Sequence, residues 1–266
     1  QHRSTQRPNP ATIHGPRLDP YHRLSPQMSF SSLPRQIKFN PIVNPLLRST
    51  VRFLARSTRR YVFVATTGRS GTHTLQWVLE ASPNCASFQK PHPTMSGEPT
   101  RAYNQGDHEL LRWHWLFQKV PYIYWRARGH PVYFESNHMF IKCFAEEAVK
   151  EFGDRLRIIH LVRDAASVAN SLYHRGSIPG AAEGRGDYLI DPDAPANYIP
   201  MPDRLQGAFF DHPYFRCLWY WHEIEARIAA FKRSHPNLSY FYLSTDDLND
   251  KNVMSQLFTW IGIEST

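Results

Sequence analysis

Cysteine is scarce in this 266-residue chain: Cys85, Cys143 and Cys217 stand far apart, with no paired spacing. That excludes a disulfide-stapled scaffold and a cysteine-based zinc site, and leaves room for one disulfide at most. Long apolar runs are missing as well. VRFLA, YVFVA and FIKCFAEEAV stop far short of the ~18 apolar residues that cross a bilayer as a helix. No secretory leader stands at Gln1; a chain opening on glutamine reads as trimmed, and the segment ahead of it could carry an anchor or an address. Acidic residues are outnumbered, 23 against 31 lysines and arginines, for a net charge of +8. This balance favours a polyanionic partner: nucleic acid, a membrane surface, an acidic polymer or a phosphate-rich small molecule. What is present, 41% hydrophobic and 14% aromatic residues with 20% charged, is the make-up of a folded chain with a full-sized core.

Residues 1–48 are punctuated by RPNP, GPR, SPQ, LPR and FNP, too much proline for a helix or a central strand. They read as a stem or a wrap-around arm, with Phe30, Ile37, Phe39, Ile42 and Leu46 free to fill surface grooves. Basic residues are scattered along the arm, so a nucleic-acid partner is not expected. Residues 49–266 read as a single domain. YVFVATT, residues 61–67, is a strand buried on both faces, and THTLQWVLEAS after it is an amphipathic helix stopped by Pro83. A strand near 132–135 leads to a helix ending at Gly153. RLRIIHLVRDAASVANSLYHRG repeats the grammar of strand, turn and helix, and LSYFYLSTDDL precedes a last helix near 250–260. Strands alternating with helices predict an α/β three-layer sandwich around a central, mostly parallel sheet. Two further helices, GDHELLRWHWLFQKV and FRCLWYWHEIEARIAAFKRS, carry Trp113, Trp115, Trp219 and Trp221, which core packing explains most simply. The long stretch at about 176–213 has little periodicity and reads as a lid or a substrate surface.

The loop GRSGT between the first strand and its helix has the parts of an anion site. Gly68 and Gly71 permit a tight turn, the helix N-terminus offers free N–H groups, Thr72 and Thr74 add hydroxyls, and Arg69 is a forked cation. The spacing and the lysine of GxxxxGK[ST] are both missing, which disfavours an ordinary ATPase or GTPase. Taken alone, GRSG also reads as a plain turn. A second constellation, IIHLVRDAASVANSLYHR, sets Arg163 at a strand end, lets Asp164 cap the next helix, and aligns Ser167, Ser171 and Arg175 on one helix face. Both motifs would emerge at the carboxyl ends of the strands, where open α/β sheets bind ligands.

In these motifs the sequence resembles the sulfotransferases that use 3'-phosphoadenosine 5'-phosphosulfate (PAPS). TTGRSGTHTL is similar to their 5'-phosphosulfate loop, LVRDAASVANSLYHR to their 3'-phosphate motif, and YLSTDDL with VMSQLFTWIGI to their late strand and closing helix, over roughly residues 60–263. The resemblance implies a P-loop NTPase-like sulfotransferase fold and in-line transfer of a sulfuryl group from PAPS to a hydroxyl, less readily an amine, with release of adenosine 3',5'-bisphosphate. It implies donor binding by Gly68, Arg69, Ser70, Gly71, Thr72, His73, Thr74, Arg163 and Ser171, with Arg69 also stabilising the transferring oxygens. No metal is expected.

The base is sought in SFQKPHPTMSGE, where the family brings a second strand to the site. His92 is the first choice, an imidazole titrating near neutrality in a proline-braced segment. Lys90 stands where several relatives have glutamate and could contact the sulfonate. Glu98 and Glu135 are reserves, each with a structural reading beside the catalytic one. The remaining histidines, His108, His114, His138, His160, His174 and His222, are assigned to packing or surface. Competing readings are a small-molecule kinase of related fold, which Arg69 in place of the loop lysine argues against, and a non-enzymatic polyanion binder. The acceptor is expected to be a small molecule or glycan: Arg185 and Arg204 suit an acidic glycan, and the aromatics suit a sugar ring or a phenol. The sequon Asn237-Leu238-Ser239 and the stem-like arm favour the Golgi lumen over the cytoplasm, with a membrane tether ahead of the chain compatible with both observations.

Overall fold

The computed structural model describes residues 43–181, 186–200 and 212–263. Most of the arm, and residues 182–185 and 201–211 of the 176–213 stretch, with Arg185 and Arg204, lie outside the described residues. The first described element is helix α1 (Val43–Leu54), with Asn44 and Val51 buried. The arm boundary expected at residue 48 falls inside this helix. Pro45 does not prevent it, because a proline in the first turn gives up an N–H that has no helical partner there.

Five strands, β1 (Arg60–Ala65), β2 (Cys85–Gln89), β3 (Val132–Ser136), β4 (Leu156–Val162) and β5 (Ser239–Ser244), form one sheet in the order β2-β3-β1-β4-β5. Every pairing is parallel. β1 therefore lies between β3 and β4. Its alternation splits the core in two: Tyr61, Phe63 and Ala65 face one side, Val62 and Val64 the other.

The first side is covered by α1, by the continuous run of α4 (His108–His114), a π turn (Trp115–Lys119) and α5 (Val120–Ala127), and by α6 (Ala145–Phe152), α7 (Ala165–His174) and α8 (Pro213–Ser234). The second is covered by α2 (Thr72–Glu80) and α9 (Lys251–Ile261). A short α3 (Glu98–Asn104) follows β2. The three layers are those the strand and helix alternation predicts. Trp115 and Trp219 are buried in the larger core, and Trp221 packs against it. Cys85, Cys143 and Cys217 are buried and free, so the one disulfide that the sequence allowed is not formed. Among the described residues no helix is long and apolar enough to cross a membrane.

The 176–213 stretch is more tightly packed than its lack of periodicity suggests. Leu189, Ile190 and Ala194 enter the core. The amides of Tyr198 and Ile199 donate to Glu223 of α8, whose carboxylate is also held by Arg227 at 2.6 Å. Tyr188 and Leu189 reach the cavity described next.

Candidate active site

The loop from Thr66 to Thr72 leaves β1 at the centre of the sheet, beside the ends of β3 and β4. Gly68 (φ 85°), Arg69 (φ 61°) and Gly71 (φ 86°) all adopt left-handed backbone. Gly71 has a second constraint, since a Cβ there would meet Leu248 Cδ1 at 2.5 Å. Three side chains from neighbouring elements hold the loop by its carbonyls. Thr245 Oγ1 donates to the Ser70 carbonyl at 3.0 Å, Arg163 Nη1 to that of Arg69 at 3.1 Å, and Ser136 Oγ to that of Thr72 at 3.1 Å. The N-terminus of α2 is left open: Gly71 offers no capping side chain, and the first intrahelical bond runs from Leu75 N to Gly71 O. Free N–H groups at a helix start, with the positive end of its dipole, form an anion seat.

A cavity of about 390 Å³ opens over this seat. Among the described residues its walls carry Arg69, Lys90, Arg163 and Arg175, with His73 and His138, and no carboxylate. The cations strain one another. Loss of water, with Arg175 and Arg163 nearby, lowers the Arg69 pKa; loss of water, with Arg69 and Arg175, lowers that of Lys90. An arrangement of this kind is relieved by a ligand with several negative charges. Arg69 Nε donates to Ser171 Oγ at 2.9 Å, so the side chains of the two motifs meet. Arg163 is steadied in turn by Trp221, whose Nε1 donates to its carbonyl at 2.9 Å. Asp164 is occupied in capping α7, accepting from Ser167 N at 2.8 Å.

Not every expected residue is at the cavity. Gly68, Arg69, Gly71, Thr72, His73 and Arg163 line it, and Ser171 reaches it through Arg69. The Ser70 hydroxyl turns inward to the Gly68 carbonyl at 3.1 Å, and Thr74 is exposed beyond the lining. Lys90 is a lining residue, held in left-handed backbone (φ 44°) at the end of β2.

The base candidates need correction. His92 is exposed and outside the lining. Glu98 points to His114, 3.1 Å away. Glu135 is wholly buried: it pairs with Lys119 Nζ at 2.6 Å and accepts from Tyr133 Oη at 2.7 Å and Asn137 Nδ2 at 2.8 Å. Two residues from Tyr133, it shares that residue's face of the sheet and is turned into the larger core.

Besides His73 of the anion loop, the cavity holds a second imidazole, His138, which the sequence pattern assigns to packing or surface. It lies two residues beyond β3, and its ring packs against Gly68, 3.6 Å from where a Cβ would be. Its Nδ1 is 2.8 Å from Lys142 Nζ. Burial, the chief cause, holds its pKa well below the ordinary histidine value, so the ring is neutral at neutral pH. The signal that could have located it is spacing: Ser136, Asn137 and His138 follow a buried strand at the rim where the anion loop emerges.

A parallel sheet with an anion seat at its switch point and a cation-lined cavity over it is an arrangement by which α/β proteins bind anionic ligands. The family described as sulfotransferase domain matches residues 59–261, and the chain belongs to that family; its general reaction is sulfuryl transfer. Among solved structures it is similar to the sulfotransferase domain of the Synechococcus PCC 7002 olefin synthase, at 15% identity over 78% of this chain and 74% of that one (TM-score 0.48). It is also similar to a sulfotransferase from Alicyclobacillus acidocaldarius, at 13% identity over 78% and 82% (TM-score 0.42). No curated protein sequence matches it.

Proposed function

We propose that the protein moves the sulfuryl group of PAPS, by in-line displacement, to a hydroxyl of a carbohydrate or other small hydroxylated molecule. The observation that carries this reading is the gathering of Arg69, Lys90, Arg163 and Arg175 around the open start of α2, in a cavity whose lining holds no carboxylate among the described residues. The α2 amides and Arg69 hold the 5'-phosphosulfate and stabilise charge on the transferring and leaving oxygens. Arg163 and Ser171 hold the 3'-phosphate. Lys90, at the end of β2, contacts the sulfonate.

His138 takes the acceptor proton. Its imidazole lines the cavity and is neutral, the form a general base requires. Tyr188 and Tyr220, also in the lining, suit the ring of a sugar or a phenol. The Golgi lumen is the place we assign. Asn237 of the sequon is exposed in the turn before β5, which supports this location.

Calorimetric titration with adenosine 3',5'-bisphosphate, beside adenosine 5'-monophosphate and ATP at one salt concentration, tests the donor. Micromolar binding that requires the 3'-phosphate and weakens in Arg163→Ala and Ser171→Ala is the expected result. Equal, weak binding of all three nucleotides sinks the donor assignment and returns the polyanion reading.

A further inference from the structure

Lys142 is left unexplained by the roles above. It belongs to a π turn (Phe140–Phe144) and is 1% exposed. Its Nζ lies 2.8 Å from His138 Nδ1, donates to the Tyr188 carbonyl at 2.8 Å, and sits 5.0 Å over the Tyr220 ring. None of these partners is anionic. The comparison within the fold is direct: Lys119, the buried lysine of the other π turn, meets the Glu135 carboxylate at 2.6 Å, whereas no carboxylate pairs with Lys142 among the described residues. The titratable groups around it supply no counter-charge either. Cys143 is pushed up to about 12 and Tyr220 well above its ordinary value, both chiefly by burial, so they stay neutral. Lys90 and Arg227 are cations. Burial first, with those two, drives Lys142 well below the ordinary lysine value.

The charge of Lys142 decides what His138 can do. An ammonium would donate to Nδ1 and fix the neutral ring with its proton on Nε2, a form unable to accept a proton there. An amine has a lone pair for the Nδ1 proton and leaves Nε2 bare. Nε2 has no protein partner among the described residues, and His138 lines the cavity.

We propose that Lys142 is a positioning residue that works as a neutral amine: it donates to the Tyr188 carbonyl, accepts Nδ1–H of His138, and so presents Nε2 as the base. This rests on the reading of His138 as the base. The acceptor O–H proton passes to Nε2 as the acceptor oxygen forms the new O–S bond. The electron pair of the breaking S–O bond leaves with adenosine 3',5'-bisphosphate. The imidazolium keeps its Nδ1–H on Lys142 Nζ until Nε2 returns its proton to solvent. Behind many histidine bases a carboxylate does this work. Here a carboxylate would pair with Lys90 or Arg69 and compete with the anionic donor, and an amine performs the same orientation without that competition.

The test is ¹⁵N NMR of histidine-labelled free protein near pH 7.5, with the His138→Gln variant identifying the resonance. The expected result is a neutral ring with its proton on Nδ1, a preference that Lys142→Met abolishes. In that variant PAPS turnover, followed as adenosine 3',5'-bisphosphate release with a panel of phenols and monosaccharides, falls about tenfold or more, while product-nucleotide affinity stays within about twofold. A wild-type ring protonated on Nε2 or on both nitrogens overturns the proposal, as does unchanged turnover in Lys142→Met. If that variant does not fold, the wild-type spectrum decides alone. Failure of the underlying reading looks different: His138→Gln would then keep wild-type turnover, whatever the tautomer.

Discussion

Gly71 of the loop and Arg163 beside it lend themselves to separate tests, because one is constrained by backbone and the other by charge. Gly71→Ala places a methyl group in left-handed backbone against Leu248, so a loss of about 1–3 kcal/mol is expected in urea unfolding, together with weaker nucleotide binding. Arg163→Ala removes a forked cation and the bond that fixes the Arg69 carbonyl. Nucleotide affinity should fall by about tenfold to a hundredfold in calorimetry, with the melting temperature nearly unchanged. The histidines show how residue type misleads without position. His92 sits in a segment rich in proline and looks braced, yet it is exposed, whereas His138 resembles one more packing histidine and lines the cavity with its ring against Gly68.

At the scale of elements, strand ends hold the anion loop in shape. Thr245, just past β5, donates one hydroxyl to both the Ser70 and the Val162 carbonyls. Thr245→Val leaves the loop carbonyl without its clamp, and about 1 kcal/mol of stability should go with it, measured in the same urea series. Lys119→Met strands the Glu135 carboxylate in the core and should cost about 3–5 kcal/mol, whereas removing both charged partners together should cost less than the sum.

The elements were legible in the sequence to different degrees for physical reasons. YVFVA declares a strand buried on both faces, and Asp164 declares the start of α7 by its capping chemistry. Alternation also determines that Glu135 shares a face with Tyr133, but which face meets the larger helical layer is a tertiary fact that one strand cannot announce. Lys142 was illegible because a π turn shifts the helical register, and a reading at 3.6 residues per turn gives no reason to bury a lysine. The anion loop was legible because glycine, arginine and a helix start are all local features.

For the molecule as a whole, the buried lysine sets a pH signature. With the Lys142 pKa lowered by folding, the unfolded chain binds a proton that the fold does not, so stability rises as pH climbs between the lowered value and the ordinary lysine value, by at most about 1.4 kcal/mol per unit for this group. Above about 9 an opposing slope sets in: Cys85, Cys143 and Cys217, and then Tyr61 and Tyr240, all raised to about 12 mainly by burial, keep protons that the unfolded chain loses. Melting followed across this range should show a maximum on the alkaline side, and Lys142→Met should flatten the rise.

The strand order has a consequence for how the protein comes to exist. β1 is the first strand made, yet its two neighbours, β3 and β4, are parallel to it and arrive only after long intervening stretches of chain. No hairpin can seed such a sheet, and every pairing waits on closure of a large loop. During synthesis the glycine-arginine loop is therefore present long before Ser136, Arg163 and Thr245 emerge to hold its carbonyls. Recovery of nucleotide binding in refolding should lag behind the return of helical signal, making the ligand a reporter of the last stage of sheet assembly.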